Sequence, residues 1–232
     1  GFHIGGSDAS GIVYAVGSEV TNVKVGDHVV AHCGMWNEKD PAIVSGQIDP
    51  LESSSFSVWG LEGNWGSFAQ FSKLQSHQLM PKAEHLTWEE AAVLTLDGST
   101  AYKMLKSWPP NELKEGDAVL IWGGSGGLGY LAIQIAKHLG GRPIAVVSNP
   151  QNGEWCKSLG AEGYIDRSKF DYWSEPIPNK NERELFDNWV INGPRKFQRA
   201  FEDVAGRGVK AKIVFEYPGE ATLPTSAYRC AP

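Results

Sequence analysis

Apolar positions change their period along this chain. Near the N-terminus they alternate: the stretch from Gly11 to Gly17 does so and ends on glycine, Val25-Gly26-Asp27 marks a turn, and His28-Val-Val-Ala-His32 follows as a strand candidate. A long loop from Cys33 to Gly60, rich in Pro, Gly, Ser and Asp, separates these from two further strand candidates, residues 67–72 and 76–80. This texture predicts a β-rich domain over residues 1–97. Helical spacing begins at Thr87-Trp-Glu-Glu-Ala91, where Thr87 and Glu90 form a capping box. Asp97-Gly98-Ser99 interrupts it, and a helix resumes from Thr100 towards Trp108-Pro109-Pro110. Beyond that, short apolar runs predict buried strands at 118–122, 143–147, 163–166 and 211–216. Helices are predicted from Tyr130 to Gly140, Arg183 to Val190 and Arg195 to Val204. Residues 98–232 therefore read as a doubly wound α/β domain with four strands, where such a domain usually has about six. The chain also starts without methionine inside a strand-like region. Truncation at both ends is expected, with each domain only partly present.

The strand Asp117–Trp122 runs straight into Gly123-Gly124-Ser125-Gly126-Gly127-Leu128-Gly129 and then into the helix. Gly124, Gly126 and Gly129 have the G-x-G-x-x-G spacing of a dinucleotide fold. The first allows a tight turn, the second lets backbone approach a pyrophosphate, and the third lets helix pack on strand. The helix N-terminus then faces the anion. A glycine-rich loop alone is weak evidence; the strand before it and the helix after it make the signal specific. The next strand ends at Ser148, where an NAD site usually carries an acid for the ribose hydroxyls. A hydroxyl accepts a 2′-phosphate that a carboxylate would repel, and Arg167, after the third strand, offers a positive charge. This favours NADP(H). The plainer alternative is that Ser148 is a turn residue and Arg167 a solvated surface charge.

Composition narrows the partners. Across 232 residues the net charge is −6, with acids and bases mixed along the chain, which argues against nucleic acid. No apolar stretch approaches the roughly 20 residues of a membrane span, and the N-terminus is not a signal peptide. Cys33, Cys156 and Cys230 are far apart and form no CxxC pair, so neither a disulfide framework nor a metal site is expected. A reducing, cytoplasmic setting is the default. The nine tryptophans read mainly as core packing.

Gly6-Ser7-Asp8-Ala9-Ser10-Gly11, Gly26-Asp27-His28-Val29, Gly66-Ser67-Phe68-Ala69-Gln70, Thr100-Ala101-Tyr102 and the glycine loop occur in the order seen in medium-chain dehydrogenase/reductases. Narrower stretches are His32-Cys33-Gly34, the run from Val58 to Phe68, Trp108-Pro109-Pro110 and the run from Phe215 to Thr222. With these the chain resembles the crotonyl-CoA carboxylase/reductases over essentially its whole length. The resemblance implies a partial GroES-like catalytic domain and a partial Rossmann domain. It implies a homo-oligomer, a tetramer in the family, that uses NADPH to reduce an enoyl-CoA and adds CO2 to give an alkylmalonyl-CoA.

The resemblance also assigns roles. Glu62 matches a family glutamate that organises the CO2 pocket through an ordered water; Leu61 departs from the Phe or Tyr usual before it. Thr100 sits at a helix start where such reductases contact the nicotinamide end. The asparagine and histidine that also shape the CO2 pocket lie beyond the ends of this chain. Each role has a plainer counterpart: a loop carboxylate bonding its own loop for Glu62, a capping hydroxyl for Thr100. His32 reads as a strand residue at a cleft. The basic patch of Arg195, Lys196 and Arg199 suits CoA phosphates, and a solvated helix face at least as well. Three functions stay open: a carboxylase/reductase, an enoyl-CoA or quinone reductase without carboxylation, and a non-catalytic nucleotide-binding fragment.

Overall fold

The computed structural model describes residues 1–171 and 177–229, so Cys230 lies outside the described residues. The chain divides into two units, Gly1–Ser99 and Thr100–Pro232. In the first, β1 (Ala9–Ile12) runs antiparallel to β2 (His28–Ala31). The two-residue strands β3 (Gly34–Met35) and β4 (Ser57–Val58) pair with each other, and β5 (Leu79–Pro81) returns to the other edge of β2. Residues 33–60 are thus more ordered than a plain loop. They also hold the short helix α1 (Pro41–Val44), which Asp40 caps by accepting from the Ala42 N–H at 3.0 Å.

Residues 67–72, expected as a strand, form none. Their amides turn back on the start of the chain: Ser67 N–H donates to Gly6 O and Phe68 N–H to Gly5 O, each at 3.0 Å. Phe68 is 82% exposed and Phe71 68% exposed, so the alternation has no buried face to drive pairing. The contact between these stretches is backbone on backbone. A Cβ at Gly60 would run into the Gly6 carbonyl, and one at Gly66 into the carbonyls of Gly5 and Gly6. Gly66 N–H reaches Ile4 O at 2.9 Å, and the Asn64 amide clasps Ile4 N–H at 2.8 Å and Phe2 O at 3.0 Å.

The capping box opens α2 (Trp88–Ala92) as the spacing predicts. Thr87 Oγ1 accepts from Glu90 N–H at 3.2 Å, and the Glu90 carboxylate accepts from Thr87 N–H at 2.9 Å. Thr87→Ala is expected to cost about 1 kcal/mol, read as a fall of roughly 2–4 °C in thermal denaturation. A π-helical turn, Leu94–Gly98, fills the interruption before α3 (Ser99–Lys106).

The second unit is a parallel sheet. β6 (Ala118–Trp122) is wholly buried and leads to α4 (Gly127–His138), β7 (Arg142–Val147), α5 (Pro150–Ser158) and β8 (Gly163–Asp166). Then α6 (Arg183–Asn192) and α7 (Pro194–Ala205) precede β9 (Ile213–Phe215), and α8 (Leu223–Arg229) follows it. The strand order is β8-β7-β6-β9. Alternate side chains of β6 go to opposite faces. Val119 and Ile121 pack with Leu131, Ala132 and Ile133 of α4, while Leu120 and Trp122 pack with Phe197 and Phe201 of α7. Trp122 and Phe197 stack with centroids 5.2 Å apart. Both faces are therefore covered, which is why the strands read as continuous apolar runs.

Candidate functional site

In this sheet, ordered β8-β7-β6-β9 and parallel throughout, the order in which the chain adds strands reverses between β6 and β9, and ligands of open α/β sheets bind at the carboxyl ends of the strands beside that reversal. Both strands end there in unusual loops. After β6, Gly124 N–H bonds Val146 O at 3.0 Å and Gly126 N–H bonds Gly123 O at 2.8 Å, which folds the loop back before α4 starts. A Cβ at Gly124 would stand 2.7 Å from Ala145 Cβ, and one at Gly129 would collide with the Gly123 carbonyl. So the first and third glycines let the loop and helix lie directly on strand and loop. Gly126 is the N-cap of α4 and offers no side-chain cap. Gly127 and Leu128 open the helix, and Ser125 is half-buried in the loop. First-turn amides without a side-chain cap are the donors an anion takes. The chain fits a dinucleotide here.

Ser148 and Arg167 lie one residue beyond the ends of neighbouring strands, where Val147 pairs with Asp166. Both are exposed. The Ser148 hydroxyl is approached by the side-chain amides of Asn149 at 3.4 Å and Asn152 at 3.5 Å. Asp166 is turned away to cap the following turn, accepting from Ser168 N–H at 3.0 Å and from its hydroxyl at 2.7 Å. Cys156 is buried below Gly124, and that burial pushes its thiol up to about 11, so it stays protonated and unreactive.

Glu62 sits in the first unit on the loop after β4. It is exposed, and its Oε2 accepts from Val58 N–H at 2.7 Å. The preceding Leu61 is 68% exposed. Trp59, fully buried, donates its indole N–H to Trp65 O at 2.8 Å and so braces the loop from within. Thr100 is half-buried at the second position of α3; it does not cap that helix, because Ser99 precedes it and bonds Thr95 O at 2.6 Å. Arg195, Lys196 and Arg199 are exposed on α7, opposite buried Phe197 and Phe201.

His32 follows β2, and its Nδ1 accepts from Gly34 N–H at 3.0 Å. Burial lowers its basicity, and an Nδ1 that accepts an N–H leaves the proton of the neutral ring on Nε2. Nearby, partial burial raises Cys33 and Asp97. The same effect, followed by the charge of Asp97, raises Asp8, although that residue is exposed and solvent screens the pair.

The second wall of the sheet reversal falls in the run from Phe215 to Thr222, which the sequence marks only as a family likeness. Glu216 and Tyr217 follow β9. Tyr217 donates its hydroxyl to Gly123 O at 3.3 Å, and Glu216 accepts from the hydroxyls of Thr222, at 2.7 Å, and Ser226. The signal that could have found them is positional: they follow the strand that neighbours the glycine-loop strand across the reversal.

Two families match this chain. Residues 2–84 match the alcohol dehydrogenase GroES-like domain, and residues 127–232 match the family described as zinc-binding dehydrogenase. Among the described residues, no group of three or more His, Cys, Asp or Glu side chains could hold a metal ion, so the zinc of that description finds no donor set. The chain is 46% identical over 226 residues to a crotonyl-CoA carboxylase/reductase of Cereibacter sphaeroides, covering 97% of this chain and 51% of the relative. A solved crotonyl-CoA carboxylase/reductase, AntE in complex with NADP, is 44% identical with a TM-score of 0.92, over 98% of this chain and 55% of that one. The 2-octenoyl-CoA carboxylase reductase CinF, solved with NADP and 2-octenoyl-CoA, is 38% identical with a TM-score of 0.82, over 98% of this chain and 48% of that one. The chain spans about half the length of the curated relatives it matches. No helix among the described residues is long and apolar enough to cross a membrane.

Proposed function

The chain is homologous over nearly its whole length to the crotonyl-CoA carboxylase/reductases and carries the two domains of a medium-chain dehydrogenase/reductase; on that premise we propose that the complete protein reductively carboxylates an enoyl-CoA with NADPH and CO2. A cytoplasmic homo-tetramer belongs to the same proposal. The observation that carries its cofactor half is the glycine cradle, where close backbone packing and uncapped helix amides meet at the sheet reversal; the enoyl-CoA and CO2 half rests on the likeness to the carboxylase/reductases.

Bound there, NADPH would supply a hydride for the β-carbon of the enoyl thioester. The chain's own residues bind, select and exclude. The loop from Gly124 to Gly129 receives the pyrophosphate on backbone amides. Ser148 and Arg167 take the ribose 2′-phosphate, a reading supported by their places beyond the paired Val147 and Asp166. Thr100 contacts the nicotinamide end. The substrate enolate then bonds through its α-carbon to CO2, or takes a proton where water reaches it first. Glu62 orders the water beside that carbon and keeps it from acting as an acid.

Charge-assisted contacts of the Arg167 type contribute about 1.5–3 kcal/mol. Arg167→Ala is therefore expected to weaken NADPH roughly 10- to 100-fold and leave NADH nearly unchanged in a fluorescence titration. Equal losses for the two cofactors would remove the 2′-phosphate role. Reduction without carboxylation is the second reading. Leu61 in place of an aromatic, and a Glu62 carboxylate already engaged with Val58 N–H, favour it. Bicarbonate-dependent formation of a carboxylated acyl-CoA, read by mass spectrometry, decides between them.

A further inference from the structure

Tyr217 stands where the glycine loop has to meet its ligand. It follows β9, across the sheet reversal from β6. A Cβ built on Gly123 would run into its hydroxyl, and one built on Gly126 would stand 3.0 Å from it. The Cβ direction at the second glycine is the space through which a pyrophosphate approaches the backbone. The same hydroxyl donates to Gly123 O at 3.3 Å, at the long end for such a bond. We propose that Tyr217 is a gate on the dinucleotide cradle: the arrangement with its hydroxyl on the loop and the arrangement with a pyrophosphate there exclude each other.

The gate has a fixed post. Glu216 accepts from Gly219 N–H at 3.2 Å, from the Thr222 hydroxyl at 2.7 Å and from Ser226. Ser226 in turn accepts from the indole N–H of Trp122, the last residue of β6, at 2.8 Å. Thr222 and Ser226 are buried. The turn that bears Tyr217 is thereby tied to the strand that bears the glycine loop. What moves is the tyrosine side chain, which is 45% exposed and has solvent to swing into. A site that must first shed an occupant binds with an apparent affinity reduced by the open fraction. One hydrogen bond of this kind is worth a factor of about 2–10.

The proposal rests on the dinucleotide reading of the loop, and the experiment separates the two. NADPH binding to the complete protein is followed by fluorescence titration and stopped flow for the wild type, Tyr217→Phe, Tyr217→Ala and Gly126→Val. A gate predicts that Tyr217→Phe binds NADPH about 2–10-fold more tightly, through faster association, and that Tyr217→Ala does at least as much. Unchanged or weaker binding in Tyr217→Phe, with Gly126→Val still disruptive, overturns the gate and leaves the cradle standing. NADPH affinity that Gly126→Val does not alter overturns the cradle and the gate with it.

Discussion

Replacing Gly126 with valine is expected to abolish NADPH binding while the protein stays folded. The backbone there is at φ −86° and ψ 174°, extended values that a β-branched residue adopts without strain. The new Cβ meets Tyr217 Oη at 3.0 Å and Gly123 O at 3.3 Å, contacts that a few tenths of an ångström relieve. The γ-methyls then project over the first turn of α4, where the pyrophosphate has to lie. A loss of a hundredfold or more, about 3 kcal/mol, is expected, with an unchanged far-ultraviolet circular dichroism spectrum. Gly129 does not offer so clean a test, because a side chain there collides with the loop backbone itself. Undiminished NADPH affinity in Gly126→Val would mean that phosphate binds elsewhere.

This half of the molecule was legible because its signals are local. Strand, loop and helix adjoin in sequence, and burial on both faces turns each strand into an unbroken apolar run. Hence 118–122 and 163–166 match β6 and β8, and 183–190 and 195–204 fall within α6 and α7. The first unit was harder. Residues 67–72 alternate like a strand, but the amides of Ser67 and Phe68 are taken by Gly6 and Gly5, far back in the chain. Alternation reports a local preference and cannot report a distant partner. The strands β3 and β4 are two residues each, too short to leave a pattern. Tyr217 escaped for a related reason: its place beside Gly123 follows from strand order, which no window of sequence contains.

Glu62→Gln is expected to redirect the product without stopping hydride transfer. The amide oxygen of glutamine can still accept the Val58 N–H that Oε2 now holds at 2.7 Å, so the loop keeps its form and loses only the charge. Loose water then reaches the enolate. The complete enzyme should still oxidise NADPH with an enoyl-CoA, within about twofold of the wild type. The ratio of alkylmalonyl-CoA to saturated acyl-CoA should fall about tenfold, equivalent to about 1.4 kcal/mol between the two barriers. Mass spectrometry of products at saturating bicarbonate measures it. An unchanged ratio would make Glu62 an ordinary loop acid and favour the plain reductase.

Where Gly60 and Gly66 lie against Gly5 and Gly6, a side chain added at Gly60 or Gly66 meets backbone first. Cores usually drift through paired changes of size, a larger residue on one side offset by a smaller one opposite. At Gly60 and Gly66 the facing atoms are glycine backbone, so no smaller residue exists to offset a change there. The loop that bears Glu62 is bound in its evolution to the first residues of this sequence. A graft that carries the loop into another scaffold must carry both stretches of that seam.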